Sequence, residues 1–401
     1  MVLEYPYLTS LSMDILIEII NLKGVLMEFF VKTHEAQRAI KLLSVTAKMN
    51  TTSFEGQIVI KAEEDSVLFL SNNGKTGISC KVPAKVVKPG EQTVIFSKIK
   101  SYIMTFAPWD GEIGVKDFHF ISKPPHLHVK VINSHLDEST SKSNLKLDTI
   151  KAARFIAIST IDQPNLILNS SIIKSAIDKV LYAVDPNGPT AYIKGIRMAF
   201  SKDKINFVST NGKLISEFIV KNENTIEDQE YLLKHSFIMG LRRVLIDDAQ
   251  LFMEFSDRSI KVSFDNVLFW GESNVLKTYP NYQKMFDVFD KTVEINREML
   301  VNGLSSFVDV LNGEDYNRVS LKVNDNKLSL STDNSLFEYD NVGNKDIDFI
   351  LDVDGKDLLN TLHSMTDDNV ELKCLDEKNG LIVVSKGYDD QKAYVVNLVR
   401  R

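Results

Sequence analysis

His126 and His128 flank Leu127 in an alternating stretch, and two imidazoles on one strand face could ligate a metal ion. No acidic or cysteine ligand is arranged near them, so an ordinary exposed strand is expected, with no metal and no cofactor. Glu63-Glu64-Asp65 and Asp247-Asp248 offer neighbouring carboxylates, but they fall at a turn and a helix end, where solvated charge is the default. Lys75 and Lys213 each follow a glycine without the glycine-rich spacing of a phosphate loop. Cys80 and Cys374 lack the spacing of a zinc site, and two cysteines make no disulfide framework, which suits a reducing cytoplasm. An enzyme should show a metal-binding carboxylate cluster or an activated nucleophile. Neither is present, and a non-enzymatic role is expected.

The elements that carry these residues repeat. Three segments, opening near Met27, Asn165 and Thr292, each read as a short strand, an amphipathic helix and alternating strands around a polar turn. The turns are Asn72-Asn73-Gly74-Lys75, Thr210-Asn211-Gly212-Lys213 and Thr332-Asp333-Asn334-Ser335. Their separations, 138 and 122 residues, are too long for a solenoid unit and fit whole domains. Each segment has a second half of the same design, as in Tyr231–Ile246 followed by Gln250–Phe264. Ile173, Ile177, Val180, Leu181 and Val184 have helical apolar spacing, as do Leu300, Leu304, Phe307, Val308 and Leu311. Strands such as VSLKVNDNKLSLS alternate, so one sheet face is covered and the other wet.

The chain of 401 residues, 44% hydrophobic and 25% charged, is globular and long enough for two or three domains. A net charge of -7 excludes a general polycation, though not a local basic surface. Residues 1–26 are apolar in places, but Asp14, Glu18 and Lys23 interrupt them and no signal-peptide pattern is present. They are expected to be an appended helix ahead of three domains at 27–150, 164–288 and 289–401, with no membrane association. The polar, Ser-rich stretch 133–149 is expected to open a linker that runs to residue 163.

Three local sequences carry a resemblance. Residues 207–215 (FVSTNGKLI) are similar to a strand ending in a Thr-Asp-Gly-His-Arg-Leu turn. Thr278-Tyr279-Pro280-Asn281-Tyr282-Gln283-Lys284-Met285 resembles a Phe/Tyr-Pro-Asp-Tyr segment, and Ala393-Tyr394-Val395-Val396 resembles a terminal strand. In this order, within a threefold repeat from Met27 to Arg401, the chain resembles the bacterial DNA polymerase III beta subunit family, the sliding clamps. Asn211, Lys213 and Leu214 depart from the turn's pattern, and Asn397-Leu398-Val399 replaces a Met-Pro-Met tail, so the resemblance is to a divergent member.

The resemblance implies an α+β fold of three repeated clamp domains, each of two strand–helix–strands units, closing into a pseudo-sixfold homodimeric ring. It implies a cytoplasmic DNA sliding clamp, a processivity factor in DNA replication that encircles double-stranded DNA and tethers a replicative DNA polymerase after an ATP-driven clamp loader has placed it. The alternatives are a clamp-like interaction scaffold that does not encircle DNA, or a DNA-processing enzyme.

Carried over residue by residue, the resemblance implies a partner-peptide pocket of Ile193, Thr210, Gly212, Lys213, Leu214, Ile215, Pro280, Lys284, Met285, Val395, Val396, Asn397, Leu398 and Val399. Gly212 would permit close backbone approach; Ile193, Ile215, Pro280, Met285 and Val396 would form an apolar floor, with Lys213 and Lys284 at the rim. The competing reading makes the apolar members core of the second domain. DNA contacts are expected from Lys48, Lys98, Lys174, Lys179, Arg242 and Arg243, with Tyr192 added by resemblance. Six expected helices, at 33–48, 97–107, 170–183, 235–247, 296–312 and 353–365, hold eleven bases against seven acids, whereas the whole chain is at -7. A DNA-encircling ring needs such a bias, and solvated helix faces would also show it. For the dimer, the resemblance implies that Leu127 and Val129, on an edge strand opening at Pro124-Pro125, meet Val310 and Leu311 of a second copy.

Overall fold

The computed structural model describes residues 25–398 apart from 109–113, 133–142, 151–159, 223–227, 276–278, 309–316, 325, 334, 341, 343–346, 376–379, 386–390 and 397. Val310, Leu311, Asn397, Val399 and nearly all of the appended N-terminal segment therefore lie outside the described residues.

One order of elements occurs three times. The first repeat runs β1 (Met27–Lys32), α1 (Thr33–Leu43), β2 (Gln57–Ala62), β3 (Ser66–Asn72), β4 (Thr76–Lys88), then β5 (Gly90–Ile95), α2 (Phe96–Ile103), β6 (Asp117–Lys123), β7 (His126–Ile132) and β8 (Asn144–Asp148). The second runs β9 (Leu166–Asn169), α3 (Ser170–Val180), β10 (Gly195–Phe200), β11 (Lys204–Thr210), β12 (Leu214–Lys221), then β13 (Gln229–Lys234), α4 (His235–Val244), β14 (Gln250–Phe255), β15 (Ser259–Phe264) and β16 (Val267–Val275). After the short helix α5 (Gln283–Phe286), the third runs β17 (Lys291–Asn296), α6 (Arg297–Val308), β18 (Arg318–Asn324), β19 (Lys327–Ser331), β20 (Leu336–Asp340), then β21 (Phe349–Asp354), α7 (Gly355–Ser364), β22 (Asn369–Cys374), β23 (Leu381–Ser385) and β24 (Gln391–Val395).

Equivalent strands pair in the same antiparallel way in each repeat. Thus β1 pairs with β6, β9 with β14 and β17 with β22, while β2, β10 and β18 pair with β5, β13 and β21. Apolar residues alternate along these strands, as in Met27, Phe29 and Val31 on β1, all buried against the helices. The helices bury the stripe their spacing dictates: Ile173, Ile177 and Val180 on α3, and Leu300, Leu304 and Phe307 on α6. Asn169 and Asp354 start α3 and α7 by accepting from the first free backbone N–H groups.

The described chain divides into two compact units, residues 1–162 with 261–271, and residues 163–260 with 272–401. In the first, Thr76–Cys80 at the start of β4 pair with Val267–Gly271 of β16, and Trp270 fills the space that a side chain at Gly77 would need. In the second, β12 pairs with β24, from Leu214 opposite Val395 to Phe218 opposite Gln391, which joins the second and third repeats.

The expected edge strand, β7, is not at the edge of its sheet. Leu127 and Val129 are fully buried in their own domain, and β8 covers the outer edge of β7 with Leu127 opposite Leu147. Pro124 and Pro125 form the turn between β6 and β7. The stretch expected to be linker thus contains a strand, which the Leu145-Lys146-Leu147 alternation marks.

Candidate partner-binding site

The site grows from the turn between β11 and β12. The Asn211 side chain accepts from the backbone of Lys213 (2.9 Å) and Leu214 (2.8 Å), and Thr210 Oγ1 accepts from Gly212 N at 3.0 Å. Gly212 has φ +90°, which L side chains avoid, yet nothing lies within 4 Å of where its Cβ would be. Conformation requires the glycine, and the space beside it is open. The first repeat makes the same turn, with Gly74 at φ +87° and Asn73 accepting from Lys75 and Thr76, as expected for a hairpin.

The β12–β24 joint has two faces. Leu214 and Val395 turn inward and join the core of the third repeat with Ala183, Val383 and Ala393. Ile215, directly opposite Tyr394, turns outward with Val208, Ile382 and Val384. Over this outer face the segment 279–286 is fastened by Tyr282 and Phe286, both buried. Pro280, Lys284 and Met285 are left exposed beside it, Met285 by 43%. At the turn, Val396 N donates to Lys213 O at 3.0 Å, and Leu398 N donates to Asp352 O at 2.6 Å. Arg318 holds this tail by donating to the Leu398 carbonyl at 3.3 Å and pairing with Asp352.

The structure therefore brings Gly212, Lys213, Ile215, Pro280, Lys284, Met285, Val396 and Leu398 to one side of the joint. Leu214 and Val395, expected to line the pocket, are core beneath it, at 0% and 1% exposure. Ile193 and Thr210 are also buried; Ile193 occupies the space that a side chain at Gly188 would take.

Polar groups that hold the segment were not singled out in the sequence. Tyr282 donates to Glu217 Oε1 at 2.7 Å, and Asn206 Nδ2 donates to the same oxygen at 2.7 Å. Burial, and then the Glu217 charge beside it, push the Tyr282 hydroxyl well above the usual phenol range. Arg197 pairs in bidentate fashion with Glu230 at 2.9 and 2.6 Å and stands over the Tyr279 ring at 5.2 Å. A glutamate within the apolar run Leu214–Val220 was the available signal. From the third repeat, Asp357 reaches this turn, where Lys213 and Asn211 favour its charged form. Burial, followed by Asp354, outweighs them and raises its carboxyl to about 6.

The expected DNA-contacting cations fare unevenly. Lys48 is paired with Glu55, Lys174 with Asp247 and Arg242 with Asp178, at 2.5, 2.5 and 2.8 Å. Lys179 donates to Gln391 Oε1 at 2.8 Å and lies over Phe218, which ties α3 to β24. Tyr192 packs edge-on against Tyr279, beside the candidate site. Lys98 and Arg243 are exposed and have no ion pair among the described residues. Among those residues there is also no group of three or more metal-ligating side chains, and no helix is long and apolar enough to cross a membrane.

Threefold strand–helix–strands repetition, with β24 completing the preceding repeat's sheet, defines the sliding-clamp fold. Superposition agrees: a DNA polymerase III beta subunit from Pseudomonas aeruginosa matches with a TM-score of 0.83 at 16% identity over 93% of this chain and 100% of that one. The subunits from Thermotoga maritima (0.79, 14%, 94% and 100%) and Streptococcus pyogenes (0.80, 15%, 93% and 100%) do likewise. Residues 167–281 match the family described as DNA polymerase III beta subunit, central domain. Low identity with a shared fold fits the divergent member that the motifs implied. A comparison with curated protein sequences finds no significant match.

Proposed function

We propose that the chain is a DNA sliding clamp, two copies of which close head to tail around duplex DNA. The observation that carries this reading is a repeated joint. A repeat's third sheet strand after its first helix pairs with the last strand of the next repeat, β4 with β16 and β12 with β24. The same rule leaves β20 without a successor and β8 without a predecessor, and both have an open outer edge among the described residues. Open edges are templates for another chain, and a heterologous contact that closes after two copies makes a ring. Leu336, 63% exposed on β20, fits a strand that is covered only in the assembly.

In this reading the ring does no chemistry. It slides on duplex DNA through a few sequence-blind phosphate contacts, with Lys98 and Arg243 the leading candidates. A replicative polymerase's peptide docks beside Ile215, Met285 and Val396, and an ATP-driven loader opens the ring in the cytoplasm. A beta subunit from Pseudomonas aeruginosa was solved bound to griselimycin, which is consistent with a ligand-accepting surface on this fold. Sedimentation at micromolar concentration tests the closure. Twice the 45.4 kDa chain mass is expected, and a monomer alone would contradict it.

A further inference from the structure

We propose that the solvent face of the first repeat's β4–β1–β6–β7–β8 sheet is a binding surface for single-stranded nucleic acid. The surface lies opposite the buried face of these strands and does not depend on ring closure or on the β12–β24 site. Strand register sets its composition. Phe30 on β1 stands directly opposite Lys85 on β4 and His119 on β6, and His119 stands opposite Lys130 on β7. One residue pair along, His128 faces Lys146 on β8, and His126 faces Lys123. Rings and amines therefore stand side by side on neighbouring strands.

The rings are ordered. Phe30 and His119 stack with centroids 4.0 Å apart and planes 9° apart, Lys85 Nζ lies 5.9 Å from the Phe30 centroid, and His126 and His128 are edge to face at 6.3 Å. Two of the face's carboxylates are engaged by imidazoles: Glu28 with His119 at 2.8 Å, and Asp148 with His126 at 3.0 Å. Asp117 stands opposite Lys32. Lys123, Lys130 and Lys146 are exposed and have no ion pair among the described residues. A chain of net charge -7 thus concentrates unpaired amines on one sheet face.

The combination selects the ligand class. Amines alone would suit any polyanion, but an acidic peptide would leave the rings unused. Bases present flat faces to aromatic groups on a sheet while their phosphates meet the amines. The local field is positive: after burial, Lys146, His126, Lys130 and Lys123 hold His128 below the usual imidazole range. A phosphate among these amines opposes that field and raises proton affinity at His128. Binding then takes up a proton and tightens as pH falls.

The test is fluorescence anisotropy of a labelled oligothymidine with the full-length chain, at near-neutral and mildly acidic pH and over a salt series. Lys123→Glu with Lys130→Glu is expected to weaken binding at least ~10-fold and to lower the salt slope by roughly 1.4, given about 0.7 per phosphate contact on single strands. His128→Asn is expected to weaken binding a few-fold at neutral pH, through the loss of one ring, and to flatten the acid tightening. If the charge reversals disturb folding by circular dichroism, glutamine at both positions should give a smaller loss in the same direction. Lys98→Glu with Arg243→Glu should leave this binding unchanged, although the clamp reading predicts weaker duplex contact for that pair. Unchanged affinity in the sheet variants would overturn the assignment, as would loss confined to the helix variants. Competition by polyglutamate equal to that by oligonucleotide would reassign the face to acidic peptides.

Discussion

The Tyr282 hydroxyl donates to Glu217 Oε1 at 2.7 Å, with both residues more than nine-tenths buried. This bond fixes the 279–286 segment to the outer face of β12 and thereby sets where Pro280 and Met285 stand. A buried carboxylate that loses one of two donors keeps its desolvation cost with less compensation. Tyr282→Phe is expected to destabilise the second unit by about 1–3 kcal/mol in urea unfolding. Partner-peptide affinity should fall with it. An unchanged midpoint would show that the hydroxyl holds nothing in place.

Met285→Asp with Val396→Asp places two charges beside Ile215 and Tyr394, where the proposed peptide lays an apolar side chain. Burying an uncompensated carboxylate is unfavourable, so affinity for a polymerase-tail peptide should drop at least ~100-fold, about 2.7 kcal/mol. Both residues are at least partly exposed, so the fold and the dimer should survive. Calorimetric titration checks the first expectation and sedimentation the second. Retained affinity in the folded variant would remove the site from this joint.

Asp357 should make the joint between the second and third repeats pH-dependent. Its carboxyl is raised from 3.8 to about 6, so the folded state binds the proton more tightly than the unfolded one. The stability this contributes is present at acidic pH and is lost as pH rises through about 6. Asp357→Asn removes the charge, and should stabilise the unit by about 1–3 kcal/mol at neutral pH while flattening the profile between pH 5 and 7. Thermal unfolding across that range reads both effects. A profile equally steep in the variant would place the titrating group elsewhere.

Repeat, element order and helix faces were legible because each rests on local periodicity: Ile173, Ile177 and Val180 are a buried stripe in the sequence and in the fold. Much of the candidate site was legible too, since Gly212, Pro280 and Met285 belong to segments with a recognisable order. Its support was not. Leu214 and Val395 are turned inward only when β12 and β24 pair, and pairing between strands some 180 residues apart leaves no local mark. The pairing of two expected DNA contacts was illegible for a related reason. Lys174 and Arg242 meet Asp247 and Asp178 only once α3 and α4 pack. The outer strand of the first repeat's sheet was missed because the polar run before β8 hid the Leu145-Lys146-Leu147 alternation.

Glu338→Pro tests the edge itself. Thr332 N donates to Ser335 O at 2.9 Å, and counting the antiparallel alternation from that bond directs the Glu338 N–H away from β19, toward the open side. Proline there removes a donor that only a second copy would use. Sedimentation should move from dimer toward a 45.4 kDa monomer while circular dichroism is retained. A persistent dimer would place its interface elsewhere.

Topological retention on DNA tests the central claim most directly. The ring is loaded on nicked circular duplex with a clamp loader and ATP, isolated by gel filtration, and the DNA is then cut once. A closed clamp that holds DNA by encirclement should co-elute with the circle and run off after linearisation, and Glu338→Pro should never be retained. Equal retention on circular and linear DNA would contradict encirclement and leave a surface-bound protein in its place.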